Sequence, residues 1–133
     1  MTLPDANWNY PTAIRFGAGR IAELAAVCRE FGLARPLLVT DPGLAAMAMV
    51  EDALAANRRA GLSTGLFCDI RPNPVGANVE QGVAAYRAGG HDGVIAFGGG
   101  AALDVGKVIA FMSGQARPLW DFVDKEDLSL IHI

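Results

Sequence analysis

The segment Gly98-Gly99-Gly100-Ala101-Ala102-Leu103-Asp104-Val105-Gly106-Lys107 has the residue types and spacing that could do chemistry. It follows Val94-Ile95-Ala96-Phe97, which reads as a buried strand. It precedes a helical spacing of Leu103, Val105, Val108, Ile109 and Met112. A strand that feeds a helix through glycines leaves unpaired N–H groups and the positive end of the helix dipole facing one point. That is a setting for phosphate. Glycine has no Cβ, so a ligand can approach the backbone closely, and positive φ is permitted. A tight strand-to-helix turn is the plainer reading, but a turn alone seldom needs three glycines in a row.

Two familiar glycine patterns fail on this segment. A P-loop would place a glycine where Ala101 stands and Ser or Thr after Lys107, where Val108 stands, so nucleoside triphosphate hydrolysis is disfavoured. The dinucleotide fingerprint G-x-G-x-x-G would use Gly98 and Gly100, but its third glycine falls on Leu103. An ordinary Rossmann dehydrogenase is disfavoured too. The cysteines, Cys28 and Cys68, have no CxxC spacing and no neighbouring histidine, so neither zinc nor a disulfide framework is expected and both read as small buried hydrophobes. His91 is expected in an exposed helix-to-strand turn.

The elements that must position the glycine segment follow from periodicity. Arg20 to Phe31 predicts an amphipathic helix with Ile21, Leu24, Ala25, Val27, Cys28 and Phe31 on one side and Gly32 as its stop. Pro36 to Thr40 reads as a strand buried on both faces, since it shows no polar alternation. Two helical pieces are expected between Leu44 and Ala60, a strand over Thr64 to Cys68, a loop at Arg71-Pro72-Asn73-Pro74, and a helix over Asn78 to Ala88. Ahead of them, Trp8 to Phe16 suggests one or two edge strands. Strands alternating with helical crossovers predict an α/β fold with a mainly parallel sheet and helices on both faces.

Composition excludes other classes. The 133 residues are 52% hydrophobic and 19% charged, enough apolar material for one folded domain. A net charge of -3 gives no basic face for nucleic acid. The longest uncharged run, Gly93 to Leu103, is far shorter than the roughly 18 to 20 residues of a membrane helix. The N-terminus carries Asp5 and no apolar stretch, so no membrane association is expected and the cytoplasm is the expected location.

The segment GGGAALDVGK resembles the GGGSxxDxxK signature of the iron-containing (group III) alcohol dehydrogenases. The match is joined, in order, by Phe16-Gly17-Ala18-Gly19, by Leu38-Val39-Thr40-Asp41 with Gly43-Leu44, and by Pro72-Asn73-Pro74 with Asn78-Val79 and Gly82. The resemblance covers Tyr10 to about Asp121. It implies a Rossmann-like, dehydroquinate synthase-like N-terminal domain that binds NAD. Gly98, Gly99, Gly100, Ala101 and Ala102 would cradle the pyrophosphate, Asp104 would lie near the nicotinamide ribose, Asn73 would contact the dinucleotide, and Asp41 would contact the adenosine ribose. A carboxylate at a strand end accepts from ribose hydroxyls and repels a 2'-phosphate, so NAD is favoured over NADP. Asp41 also reads as a helix cap before Pro42 and Gly43, and Asp104 with Lys107, three apart, as a salt bridge. The family's serine after the triple glycine is Ala101 here, which removes a hydroxyl and leaves the N–H groups.

The resemblance further implies alcohol or aldehyde oxidoreduction by hydride transfer, with a small-molecule substrate and a homo-oligomer in the full-length enzyme. The family's Fe2+ is held by one aspartate and three histidines of a following helical domain, and no catalytic metal is expected in this chain. Residues 1 to 127 are expected to be the dinucleotide-binding portion of a longer enzyme, inactive by itself. Residues 128 to 133, Leu-Ser-Leu-Ile-His-Ile, resemble a translated transposon end used in preparing sequencing libraries and are expected to be non-native. The alternatives are a stand-alone nucleotide-binding module without catalysis and a related glycerol dehydrogenase or dehydroquinate synthase.

Overall fold

The computed structural model describes residues 11 to 122; the expectations for Trp8 to Tyr10 and for the tail after Phe122 lie outside the described residues. Its sheet has three parallel strands, β1 (Pro36–Val39), β2 (Gly65–Phe67) and β3 (Gly93–Ala96), in the order β2-β1-β3. Among the described residues five α-helices accompany them: α1 (Leu24–Glu30), α2 (Pro42–Ala45), α3 (Ala48–Arg59), α4 (Gly76–Ala88) and α5 (Gly100–Ser113). This is the expected α/β, Rossmann-like arrangement. No described helix is long and apolar enough to cross a membrane.

The central strand explains its own sequence. Leu37 and Val39 point to the face covered by α4 and α5, where they join Phe67, Val79, Val105 and Ile109. Leu38 points to the other face and packs with Val50 and Leu54 of α3, together with Ile95 and Phe97. Both faces are covered, so every position of β1 is apolar and buried.

Glycine sets how closely the layers approach. A Cβ on Gly106 of α5 would lie 2.8 Å from the Ala96 Cβ and 3.5 Å from its Cα, so the helix sits directly on β3. A Cβ on Gly82 of α4 would overlap the Ile109 side chain, which lets α4 and α5 pack against each other. Gly106→Ala is expected to cost about 1–3 kcal/mol in overpacking, offset by about 1 kcal/mol of helix propensity. Chemical denaturation should therefore show a net loss near 1 kcal/mol; an unchanged midpoint would mean that α5 moves off the strand at no cost.

Three sequence expectations are corrected, two of them near the N-terminus. Residues 11 to 16 are exposed and form no strand. The predicted helix from Arg20 to Phe31 divides into a 3-10 turn, Arg20–Glu23, and α1. Gly19, at φ 76°, starts that turn, and only Cys28 of α1 is buried, while Ile21 and Phe31 stay exposed. Charged groups pair on this turn: hydrogen bonds from Arg20 and Arg15 bring the Glu23 carboxyl pKa down to about 2. Burial raises the Cys28 thiol above its ordinary value. Cys68 is half-buried.

His91 is half-buried rather than exposed. Its ring sits against Gly65 and Gly89, and its Nδ1 lies 2.9 Å from the Arg35 carbonyl oxygen at the N-terminal ends of the strands. Asp92 beside it receives the N–H groups of Ala34 and Arg35 at 2.7 and 2.9 Å. Burial would raise its carboxyl, but these hydrogen bonds outweigh it and hold the group below its usual value. This end of the sheet is tied together by its own polar groups.

Candidate functional site

The opposite end of the sheet has free polar groups. After β1 the chain leaves toward α3 on one face, and after β3 it enters α5 on the other. The two strands are neighbours, so their C-terminal loops part at their junction and leave a crevice. Ligands of open α/β sheets bind at such a switch point. Asp41 comes from the first loop and Gly98, Gly99 and Gly100 from the second.

The three glycines have different reasons to be glycine. Gly98 has φ 138°, a conformation that favours glycine, and a Cβ there would come within 2.9 Å of the Leu44 Cδ1. Gly99 is extended, Gly100 is helical, and a Cβ on either meets nothing within 4 Å. Neither conformation nor internal packing demands glycine at these two positions. The space in front of them is kept open. Gly99 caps α5 without a side-chain hydrogen bond, and the first N–H bonded back into the helix is that of Leu103, to the Gly99 carbonyl at 3.0 Å. The N–H groups of Gly100, Ala101 and Ala102 precede that bond and border the same space.

Asp41 does cap a helix: its Oδ1 accepts from the Leu44 N–H at 2.9 Å at the start of α2. A carboxylate has further acceptor capacity beyond one hydrogen bond. Its Oδ2 lies 3.6 Å from where a Gly98 Cβ would stand, so the group faces the glycine loop. A cleft of about 450 Å³ opens here, lined by Asp41, Pro42, Gly43, Arg71, Pro72 and Ala101 among others.

Asp104 lies elsewhere. It is exposed on α5, in a second cavity of about 430 Å³ whose walls include Pro74, Val75, Lys107, Val108, Phe111 and Trp120. Asp104 and Lys107 form no ion pair with each other, although both face this cavity. Asn73 is exposed between Pro72, which lines the first cleft, and Pro74, which lines the second. The sequence-derived site residues therefore divide into Asp41 with the glycine loop, Asp104 beyond it, and Asn73 at the boundary.

Sequence reasoning gave no role to three contributors, two of which, Gly106 and Asn78, stand in its signature segments. Arg71 lines the Asp41 cleft, but its position in an irregular loop gave no periodic signal. Gly106 takes the close-packing role that the fingerprint assigns to a third glycine, three residues later than the pattern expects. Asn78, 3% exposed, accepts from the Val75 N–H at 3.0 Å and donates to the Asp69 carbonyl at 3.1 Å. It thereby braces both ends of the Arg71-Pro72-Asn73-Pro74 loop. With Val75 rather than Ser or Thr at the cap, no capping-box pattern announced it.

Residues 11 to 133 match the family model described as iron-containing alcohol dehydrogenase. The chain is 38% identical over 117 residues to 4-hydroxybutyrate dehydrogenase of Cupriavidus necator, covering 88% of this chain and 30% of that protein. It is 32% identical over 121 residues to 1,3-propanediol dehydrogenase of Klebsiella pneumoniae, covering 90% and 31%. Among solved structures, a 1,3-propanediol oxidoreductase superposes with a TM-score of 0.79 at 32% identity, over 85% of this chain and 30% of that one. A sulfoacetaldehyde reductase from Bifidobacterium kashiwanohense, in complex with NAD+, superposes with a TM-score of 0.79 at 28% identity, over 89% and 31%. The chain thus spans about three tenths of the length of these relatives.

Proposed function

The chain belongs to the iron-containing alcohol dehydrogenase family, and from that premise we propose that it is the NAD-binding part of an enzyme interconverting a small alcohol and its aldehyde by hydride transfer. The observation that carries the reading is the open space in front of Gly99 and Gly100, which no described residue fills. Bound NAD supplies the hydride-accepting nicotinamide. The N–H groups of Gly100, Ala101 and Ala102 hold the diphosphate, Gly98 sets the turn that aims them, and Asp41 accepts from the adenosine ribose hydroxyls. Asn73, on its braced loop, contacts the dinucleotide, and Asp104 serves the nicotinamide ribose end.

Iron enters through the family description. The described residues bring together no group of three or more His, Cys, Asp or Glu side chains that could hold a metal ion, so the residues described do not fit that group and no step here runs through it. By itself the chain is proposed to bind NAD without turning over alcohols. Calorimetric titration of the purified protein with NAD should show saturable one-to-one binding, and an absence of saturation in the millimolar range would overturn the proposal.

A further inference from the structure

We infer that Arg71 is a dinucleotide-binding residue that pairs with the diphosphate from the β2 side of the cleft, opposite the glycine loop. The inference rests on the proposed NAD site and adds a residue and a charge to it. Arg71 follows β2, Asp41 follows β1 and Ala101 opens α5 after β3, and all three line one cleft. The sheet order β2-β1-β3 therefore sets Arg71 and the α5 N-terminus on opposite sides of Asp41.

Charge gives this placement its meaning. The α5 end offers backbone N–H groups but no hydroxyl, since position 101 is alanine, and Asp41 brings a negative charge to the same cleft. An anion entering there is repelled by Asp41 unless a cation offsets it, and Arg71 is the cation among the lining residues. Arg71 makes no hydrogen bond or ion pair with any described residue, a state it shares with the Arg35 and Arg59 side chains, but of these three only Arg71 lines this cleft. No described residue engages its five donors, and guanidinium binds a phosphate through paired N–H groups. Nearby restraint favours the role: Asp69, two residues earlier, has its carbonyl fixed by buried Asn78, and Pro72 stiffens the following bond.

The test compares the parent protein with Arg71→Ala and Arg71→Lys, each titrated with NAD, ADP, adenosine and NADP, with thermal unfolding as the check on folding. Arg71 is exposed and unbonded to described residues, so the melting temperature should stay constant. Arg71→Ala is expected to weaken NAD and ADP at least about tenfold and to leave adenosine unchanged, with Arg71→Lys between the two. An equal loss for adenosine would overturn the proposal in favour of stacking on the base. A loss confined to NADP would overturn it in favour of a 2'-phosphate contact, and unchanged affinity for all four would overturn it outright. A parent protein that binds no NAD would instead overturn the NAD reading itself.

Discussion

Gly100→Val is expected to weaken NAD binding about a hundredfold, roughly 2.8 kcal/mol, while leaving the stability of the protein within about 0.5 kcal/mol of the parent. The two halves of the expectation have separate physical causes. Gly100 is the first residue of α5, and a Cβ there touches nothing within 4 Å among the described residues, so the branch point of a valine side chain starts in open space. Valine is also no worse a helix former than glycine, because glycine loses more backbone entropy on ordering. The added side chain would occupy the space bordered by the α5 N–H groups and hold a diphosphate away from them. Hydrogen bonds to a charged group are worth about 1.5–3 kcal/mol each, so displacing the anion from even one of them accounts for the loss. The measurement is a pair: NAD affinity by calorimetry and the unfolding midpoint. If both fall together, the glycines serve the turn. If neither moves, the diphosphate lies elsewhere.

Asp41→Asn should shift the preference between NAD and NADP by more than about tenfold toward NADP, about 1.4 kcal/mol or more. Asparagine is the informative replacement because the structure gives Asp41 a second task, capping α2 through the Leu44 N–H. Asn and Asp are about equal as N-caps, so the fold keeps its hydrogen bond while the site loses its charge. Removing that charge weakens the contact to the adenosine ribose hydroxyls and relieves repulsion of a 2'-phosphate. The ratio of the two dissociation constants reads the effect directly. A constant ratio with unchanged stability would leave Asp41 with its capping role alone. Asp41→Gly is the companion measurement: it removes the cap as well, at a cost of a few tenths of a kcal/mol, because glycine is itself a tolerable N-cap.

The pattern of elements was legible because it depends on local spacing. The uninterrupted apolar run of β1, the proline-bracketed loop at Asn73 and the glycines before α5 each state their backbone conformation within a few residues. The resemblance carried by GGGAALDVGK was legible for the same reason, since every residue of that signature is contiguous, and the family match over residues 11 to 133 agrees with it. The helix over Arg20 to Phe31 was less legible. Its periodicity was real, yet burial depends on what lies opposite, and among its apolar positions the structure buries Cys28 and leaves Ile21 and Phe31 exposed.

By itself, the sequence determined an α/β chain with parallel strands and a glycine-rich strand-to-helix junction. Tertiary structure alone decided the strand order β2-β1-β3, because parallel strands joined by helices can lie in several lateral orders with the same local spacing. That order makes neighbours of Asp41 and Gly98, fifty-seven positions apart in sequence, and sets Arg71 across from Ala101. It also separates Asp104 from Asp41 into another cavity. The reason any one of three adjacent glycines must be glycine could be read only from what surrounds it: a positive φ and Leu44 at Gly98, and open space at Gly99 and Gly100. Local propensity fixes which conformation a residue adopts, whereas the emptiness in front of it is a property of everything else in the fold.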